Sequence, residues 1–143
     1  LKVIRPELAQ REEILSRFKR EVILTQEVSH RNVVRLYDLA VSDGLKFITM
    51  EFIDGEDLHS WRRRKEWSAG EIISLLIQVC RGLEAAHAVG VVHRDLKPQN
   101  LMFRADGSLA IVDFGIAKHI DAIDRTGAGE ILGTPRYLSP EQV

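Results

Sequence analysis

Two stretches decide how this chain reads: His93-Arg94-Asp95-Leu96-Lys97-Pro98-Gln99-Asn100, and Asp113-Phe114-Gly115 after it. The first packs a base, a cation and an amide between the end of a helical pattern and the start of a strand. The second puts a carboxylate immediately after the β-rich residues 109–112, where it projects from a strand end. Upstream, Ser68-Ala69-Gly70-Glu71 is a capping box that opens the clearest helix of the chain. Ile72, Leu76, Val79, Leu83 and Ala86 form its apolar stripe, and Gly90 supplies the stop. Residues 101–103 and 109–112 flank Ala105-Asp106-Gly107, a hairpin pattern.

Working back to the start, residues 33–40 and 45–52 are β-rich and separated by the turn signal Ser42-Asp43-Gly44. Residues 10–28 carry Ile14, Leu15, Phe18, Val22 and Thr25 at spacings of three and four, an amphipathic helix. Leu1-Lys2-Val3-Ile4 reads as a strand already under way, closed by Pro6, which points to a truncated chain. Beyond Asp113 the sequence is polar, Gly-rich and loop-like up to Pro140. The order is strand, helix, hairpin, helices, small hairpin and long loop, an α+β arrangement with its chemistry on loops.

At 143 residues, one domain is the most the length supports. Lys and Arg number 20 against 21 Asp and Glu, so charge gives no reason to expect nucleic acid or a membrane surface. Arg62-Arg63-Arg64-Lys65 reads as a solvated helix end. No run of apolar residues is long enough to span a membrane. Cys80 stands alone, which permits a reducing compartment, and its apolar helical setting predicts a buried, inert thiol. His30, His59, His87 and His119 lack metal-ligand spacing, and His93 reads as a packed structural residue. Trp61 and Trp67 are expected to pack the small helix and its following loop.

The chemistry follows from the first two stretches. Phosphoryl transfer needs metal ions on the phosphate oxygens, cations to hold the charge and a carboxylate to orient the attacking hydroxyl. Asp95, Lys97, Asn100 and Asp113 make up that inventory, and their hard oxygen donors suit Mg²⁺. Either short motif alone is a weak signal. Both in order, with Lys97 and Asn100 in place, form a strong one.

These loops resemble the catalytic and metal loops of protein kinases. The resemblance runs over the whole chain, from the lysine strand to the end of the activation segment, and its wording is most similar to bacterial kinases of the eukaryotic type. It implies an incomplete two-lobe fold, with residues 1–53 a partial small lobe and hinge, and residues 54–143 the start of a mainly helical large lobe. It implies ATP and Mg²⁺ as cofactors, and Ser or Thr hydroxyls of proteins as acceptors. Asp95 would take or orient the hydroxyl proton, Asn100 and Asp113 would hold Mg²⁺, and Lys97 would neutralise the γ-phosphate. Lys2 matches the lysine that meets the α- and β-phosphates, with Glu21 as its expected partner. Met50 matches the gatekeeper, Glu51 and Ile53 the hinge backbone facing adenine, Asp57 a ribose contact, and Met102 the apolar residue beneath the base.

The resemblance also covers Gly133-Thr134-Pro135-Arg136-Tyr137-Leu138-Ser139-Pro140-Glu141, the end of an activation segment, with Thr134 contacting Asp95 and Lys97. Arg94 before the catalytic Asp implies control by activation-loop phosphorylation. Thr126 carries the single hydroxyl between Gly115 and Gly133, so it is the expected autophosphorylation site. The family's Gly-rich loop is missing from this stretch, as is the helical subdomain beyond Glu141, so the chain alone is expected to be inactive and prone to aggregate. A truncated, non-catalytic binding module and a small-molecule phosphotransferase stay open as alternatives. The expected location is the cytoplasm, with the parent protein free to be membrane-anchored elsewhere.

Overall fold

The computed structural model describes residues 1–4, 12–64, 66–114 and 137. Strands β2 (Leu36–Ser42) and β3 (Leu45–Met50) pair antiparallel. Between them Asp43 and Gly44 both take positive φ, 50° and 76°, the left-handed pair that matches a two-residue turn to the twist of its strands. The short β1 (Lys2–Val3) lies on the other edge of β3, with Lys2 opposite Ile48, giving the order β1-β3-β2. The expected hairpin is therefore present, but its first strand opens at Leu36. Val33 and Val34 leave this sheet to lie against a different strand.

Helix α1 (Glu12–Gln26) packs against β2. Phe18, Val22 and Thr25 form its buried face, as the three-and-four spacing predicts. The hydroxyl of Thr25 donates to the Glu21 carbonyl at 2.7 Å, which lets a polar side chain sit in that core. A single-turn helix α2 (Leu58–Trp61) follows the sheet, and Trp61 packs on Trp67 and Phe103, with ring centroids 4.5 and 4.2 Å apart.

Helix α3 (Ala69–Ala88) starts at the predicted capping box: Ser68 Oγ accepts from the Glu71 N–H and Glu71 accepts from the Ser68 N–H. It ends where Gly90 takes φ 78°. The Gly90 N–H reaches the His87 carbonyl and the Val91 N–H the Ala86 carbonyl, a Schellman closure. Its buried residues are Val79, Gly82 and Ala86. Ile72 and Leu76, assigned to the same stripe from sequence, are 46% and 57% exposed. Leu75, Gln78, Val79, Gly82 and Ala86 face the described core, so the covered side of α3 is rotated by part of a turn from the expected stripe: Val79 and Ala86 belong to it, Ile72 and Leu76 do not. Cys80 is exposed rather than buried because it lies on the other side of α3, with Ile73, Ile77 and Glu84.

A 3₁₀ turn, Pro98–Asn100, leads into β4 (Leu101–Phe103), which pairs antiparallel with β5 (Leu109–Ile111). Leu109, Ala110 and Ile111 are fully buried. On its free edge β5 meets the 32–34 segment: the Val34 N–H donates to the Ile111 carbonyl at 2.9 Å and the Ile111 N–H to the Asn32 carbonyl at 2.8 Å. Asn32 Nδ2 also donates to the Leu109 carbonyl at 2.6 Å and to Gln78 Oε1 at 3.2 Å. Helix α3 can approach this joint because position 82 has no side chain. A Cβ there would stand 2.8 Å from the Asn32 carbonyl oxygen and 2.9 Å from Ile111 Cδ1.

Overpacking of this kind costs about 1–3 kcal/mol, more than the ~1 kcal/mol that Ala gains over Gly in a helix. Gly82→Ala should therefore lower the urea midpoint of unfolding. Gly70→Ala, where a Cβ meets nothing within 4 Å, should not. Equal midpoints for Gly82→Ala and the unmodified protein would mean that α3 is not seated on this joint.

Candidate active site

Beyond the Schellman closure the chain turns inward, and His93 is 2% exposed. Its Nε2 donates to the Val112 carbonyl at 3.0 Å and its ring packs on Phe114 at 4.7 Å, tying the 93–100 loop to the exit of β5. With Nε2 committed as donor, Nδ1 is the acceptor for the Asp95 N–H at 3.2 Å. Burial is the main cause holding the imidazole pKa below its ordinary 6.5. His93 is thus a structural coupler, as its sequence setting indicated.

Asp95, Lys97 and Asn100 are brought together on this loop. Lys97 Nζ lies 3.1 Å from Asp95 Oδ2. Asn100 Nδ2 donates to the Asp95 carbonyl at 2.8 Å and to Oδ2 at 3.2 Å. Those bonds commit the amide nitrogen and leave Oδ1 as an oxygen donor, the chemistry a hard cation needs. Asp113 follows β5 and Val112 with φ 56°, and Arg94 has φ 60°. Non-glycine residues in this region are uncommon, and they cluster where a side chain is held for function. The carboxylate of Asp113 and the Asn100 amide oxygen therefore fit a Mg²⁺ site as a donor set.

The expected ion pair between Lys2 and Glu21 is replaced by two others. Lys2 Nζ lies 2.9 Å from Asp113 Oδ1, and Glu21 Oε1 lies 2.9 Å from Arg94 Nη1. Glu21, Leu24 and Thr25 of α1 share a small cleft with Val91, Arg94 and Phe114, and this packing carries the Glu21 carboxylate to Arg94. Strand β1 meanwhile brings Lys2 to the residue that leaves β5. Sequence spacing indicated the four residues but not who pairs with whom.

At the other end, Met50 closes β3 opposite Leu36. Ile53 is buried in a cluster with Val34 and Ala110, against which Met102 and Val112 pack. Glu51 sits between them, its N–H donating to the Arg35 carbonyl at 2.8 Å. Asp57, expected at the ribose, is the N-cap of α2: Oδ1 accepts from the Ser60 N–H at 3.0 Å and Oδ2 from the Ser60 hydroxyl at 2.9 Å. Capping gives that carboxylate a local role which the sequence reading did not assign.

The protein kinase domain family matches residues 1–143. The chain belongs to that family. It is 41% identical to the serine/threonine-protein kinase Pkn1 of Myxococcus xanthus, over 99% of this chain and 21% of that protein. It is 34% identical to the probable serine/threonine-protein kinase PknB of Lactococcus lactis subsp. lactis, over 99% of this chain and 23% of that protein. Among solved structures, the Mycobacterium tuberculosis PknI kinase domain superposes with a TM-score of 0.69 at 32% identity, covering 81% of this chain and 48% of that one. The chain spans between about a fifth and a third of the length of the curated relatives it matches. Its fold is accordingly part of the two-lobe protein kinase fold.

Two kinase-family assignments, Thr126 and Thr134, lie outside the described residues, as does most of the 133–141 segment. Three residues went unassigned in the sequence: Asn32, Gln78 and Arg104. Asn32 had one visible signal, an amide set directly before the apolar pair Val33-Val34. Gln78 had a similar one, a lone amide inside the apolar run of α3. Arg104 had none, since an arginine entering a hairpin turn ordinarily points into solvent.

The depressed pKa of His93 has a signed consequence. The unfolded chain binds this proton more tightly than the folded one, so the contribution is complete above pH 6.5 and shrinks as pH falls below it. Unfolding free energy should drop between pH 6.5 and 5.5, with a shallower slope in His93→Phe. Parallel slopes for the two proteins would show that His93 is not held neutral.

Proposed function

We propose that the protein containing this chain transfers the γ-phosphoryl group of ATP to Ser or Thr hydroxyls of protein substrates. The observation that carries the reading is the grouping of Asp95, Lys97 and Asn100 on one loop, which the bond from His93 to Val112 ties to the strand exit that carries Asp113. Names of the relatives, all serine/threonine-protein kinases, support a protein acceptor over a small alcohol. Residues 1–53 would serve as part of the small lobe and hinge, and 54–143 as the start of the large lobe.

Asp95 orients the acceptor hydroxyl and takes its proton as oxygen bonds to phosphorus and the bond to ADP breaks. Lys97, held beside Asp95, offsets the charge on the transferring group. Asn100 and Asp113 would hold Mg²⁺, which supplies charge neutralisation on the phosphate oxygens when bound. Lys2, held at Asp113, would meet the α- and β-phosphates, and on this reading would exchange Asp113 for Glu21 as its acid partner. Met50, the Glu51 and Ile53 backbones and Met102 would frame adenine, and Asp57 would lie beside the ribose while capping α2. Arg94, Thr126 and Thr134 are proposed as regulatory residues, Thr126 as the autophosphorylated one.

No helix among the described residues is long and apolar enough to cross a membrane. Cytoplasmic placement is proposed because the reaction draws on ATP.

The test is transfer of label from γ-labelled ATP by the full-length protein to protein acceptors, with Asp95→Asn as comparison. The variant should lose about 10²–10⁴-fold in kcat, and peptide mapping of self-labelled protein should find phosphate on Thr126. Full activity in Asp95→Asn, or labelling of small alcohols but never of protein, would overturn the reading. Label confined to sites other than Thr126 would remove that assignment alone.

A further inference from the structure

The residues from Glu51 to Asp57 carry the chain from the β1-β3-β2 sheet to the helical part, and Glu51 is the first residue after β3. Its carboxylate is gripped from the far side by Arg104, which stands just after β4. The guanidinium meets both carboxylate oxygens, Nη2 to Oε2 at 3.0 Å and Nη1 to Oε1. Oε2 also accepts from the Arg35 N–H at 3.2 Å, and Arg104 Nη2 donates to the Arg31 carbonyl at 3.4 Å. The Arg104 N–H is itself fixed to the Ser108 carbonyl at 2.8 Å, and Arg31 returns to the same turn through Asp106 Oδ2 at 3.6 Å. The two side chains keep only 22% and 25% of their surface. An exposed single ion pair would contribute little. A planar two-bond fork, largely shielded and tied to two backbone groups, is the geometry in which such a pair fixes orientation. In keeping with that, the bond from Arg104 holds the Glu51 carboxyl below its usual pKa.

We propose that Arg104 is a positioning residue for the nucleotide site: its fork on Glu51 sets the backbone direction of residues 51–53 and the angle between the two halves that meet there. The inference rests on the proposed reading, in which the Glu51 and Ile53 backbones face adenine. The carbonyl of Glu51 and the N–H of Ile53 are separated from the clamped carboxylate by a few torsions. Turning one half against the other must stretch the fork, because Glu51 belongs to one half and Arg104 to the other. Loss of the clamp therefore loosens the adenine end while leaving Asp95, Lys97 and Asn100 in place.

Steady-state kinetics of the full-length protein with Arg104→Ala should show KM for ATP raised roughly tenfold, the loss expected for a charge-assisted bond, with kcat at saturating ATP changed less than about twofold. Arg104→Lys, which keeps the charge but not the fork, should fall between. Exchanging the pair in the double variant Glu51→Arg, Arg104→Glu should recover part of the affinity. An unchanged KM in Arg104→Ala would overturn the proposal, as would equal losses in kcat and stability that Arg104→Lys fails to relieve, the mark of a purely structural residue. Hydrogen exchange at the amides of residues 51–53 gives an arm independent of nucleotide: faster exchange in Arg104→Ala supports the clamp and unchanged exchange refutes it. Should the unmodified protein turn over no ATP, that failure belongs to the proposed reaction, and the exchange result still decides the clamp.

Discussion

Strand β5 is the part on which the rest depends. Leu109, Ala110 and Ile111 are wholly out of solvent, hydrogen-bonded to β4 on one edge and to the 32–34 segment on the other. A strand buried on both faces must satisfy every backbone group internally, and this one does so by recruiting a piece of chain from the half that carries the first sheet. Asn32 completes the joint through its own carbonyl and amide. From the end of that strand the chain delivers Val112 to His93 and Asp113 to Lys2. The place of the candidate metal ligand is thus fixed by core packing, and the loop before β4 is fixed to it in turn, since the Val112 N–H donates to the Asn100 carbonyl at 2.9 Å.

Electrostatics in the cleft follow from that placement. Lys2, Lys97 and Arg94 each meet a carboxylate, from Asp113, Asp95 and Glu21 respectively. Partly shielded charges of one sign gathered on a small platform would repel and lose hydration, so compensation by neighbouring carboxylates is the low-energy arrangement. On the proposed reading the same groups can regroup around phosphate and metal without new residues being supplied: Lys2 moves to phosphate, Asp113 to the cation. Each pair is at least partly solvated, which keeps the cost of exchanging partners small.

Much of this was legible in the sequence, because it depends on local chemistry. The capping box at Ser68 and Glu71, the left-handed turn at Asp43-Gly44, the face Phe18, Val22 and Thr25, and the grouping of Asp95 with Lys97 and Asn100 all follow from residues near one another in the chain. What escaped depends on contacts between distant segments. The partners of Lys2 and Glu21 were decided by how α1 leans over Arg94, which spacing does not encode. Ile72 and Leu76 were given to the core on periodicity, but residues 72–80 are apolar nearly all round the helix, so periodicity does not decide which side is covered, and Leu75 and Gly82 lie on it instead. Asp57 was assigned through resemblance, although an Asp is itself a favoured N-cap residue and so carried a local cue to capping. Arg104 shows the limit most clearly, since nothing around it in sequence refers to Glu51.

The central claim is that core packing of β5 presents Asp113 as a metal ligand beside a nucleotide site. Calorimetric titration of ATP into the full-length protein, with and without Mg²⁺, tests it directly in the unmodified and Asp113→Asn forms. The account predicts that Mg²⁺ strengthens ATP binding to the unmodified protein by about tenfold or more, a gain of at least ~1.4 kcal/mol. Asp113→Asn should lose most of that gain while still binding metal-free ATP. An equal gain from Mg²⁺ in both proteins would contradict it.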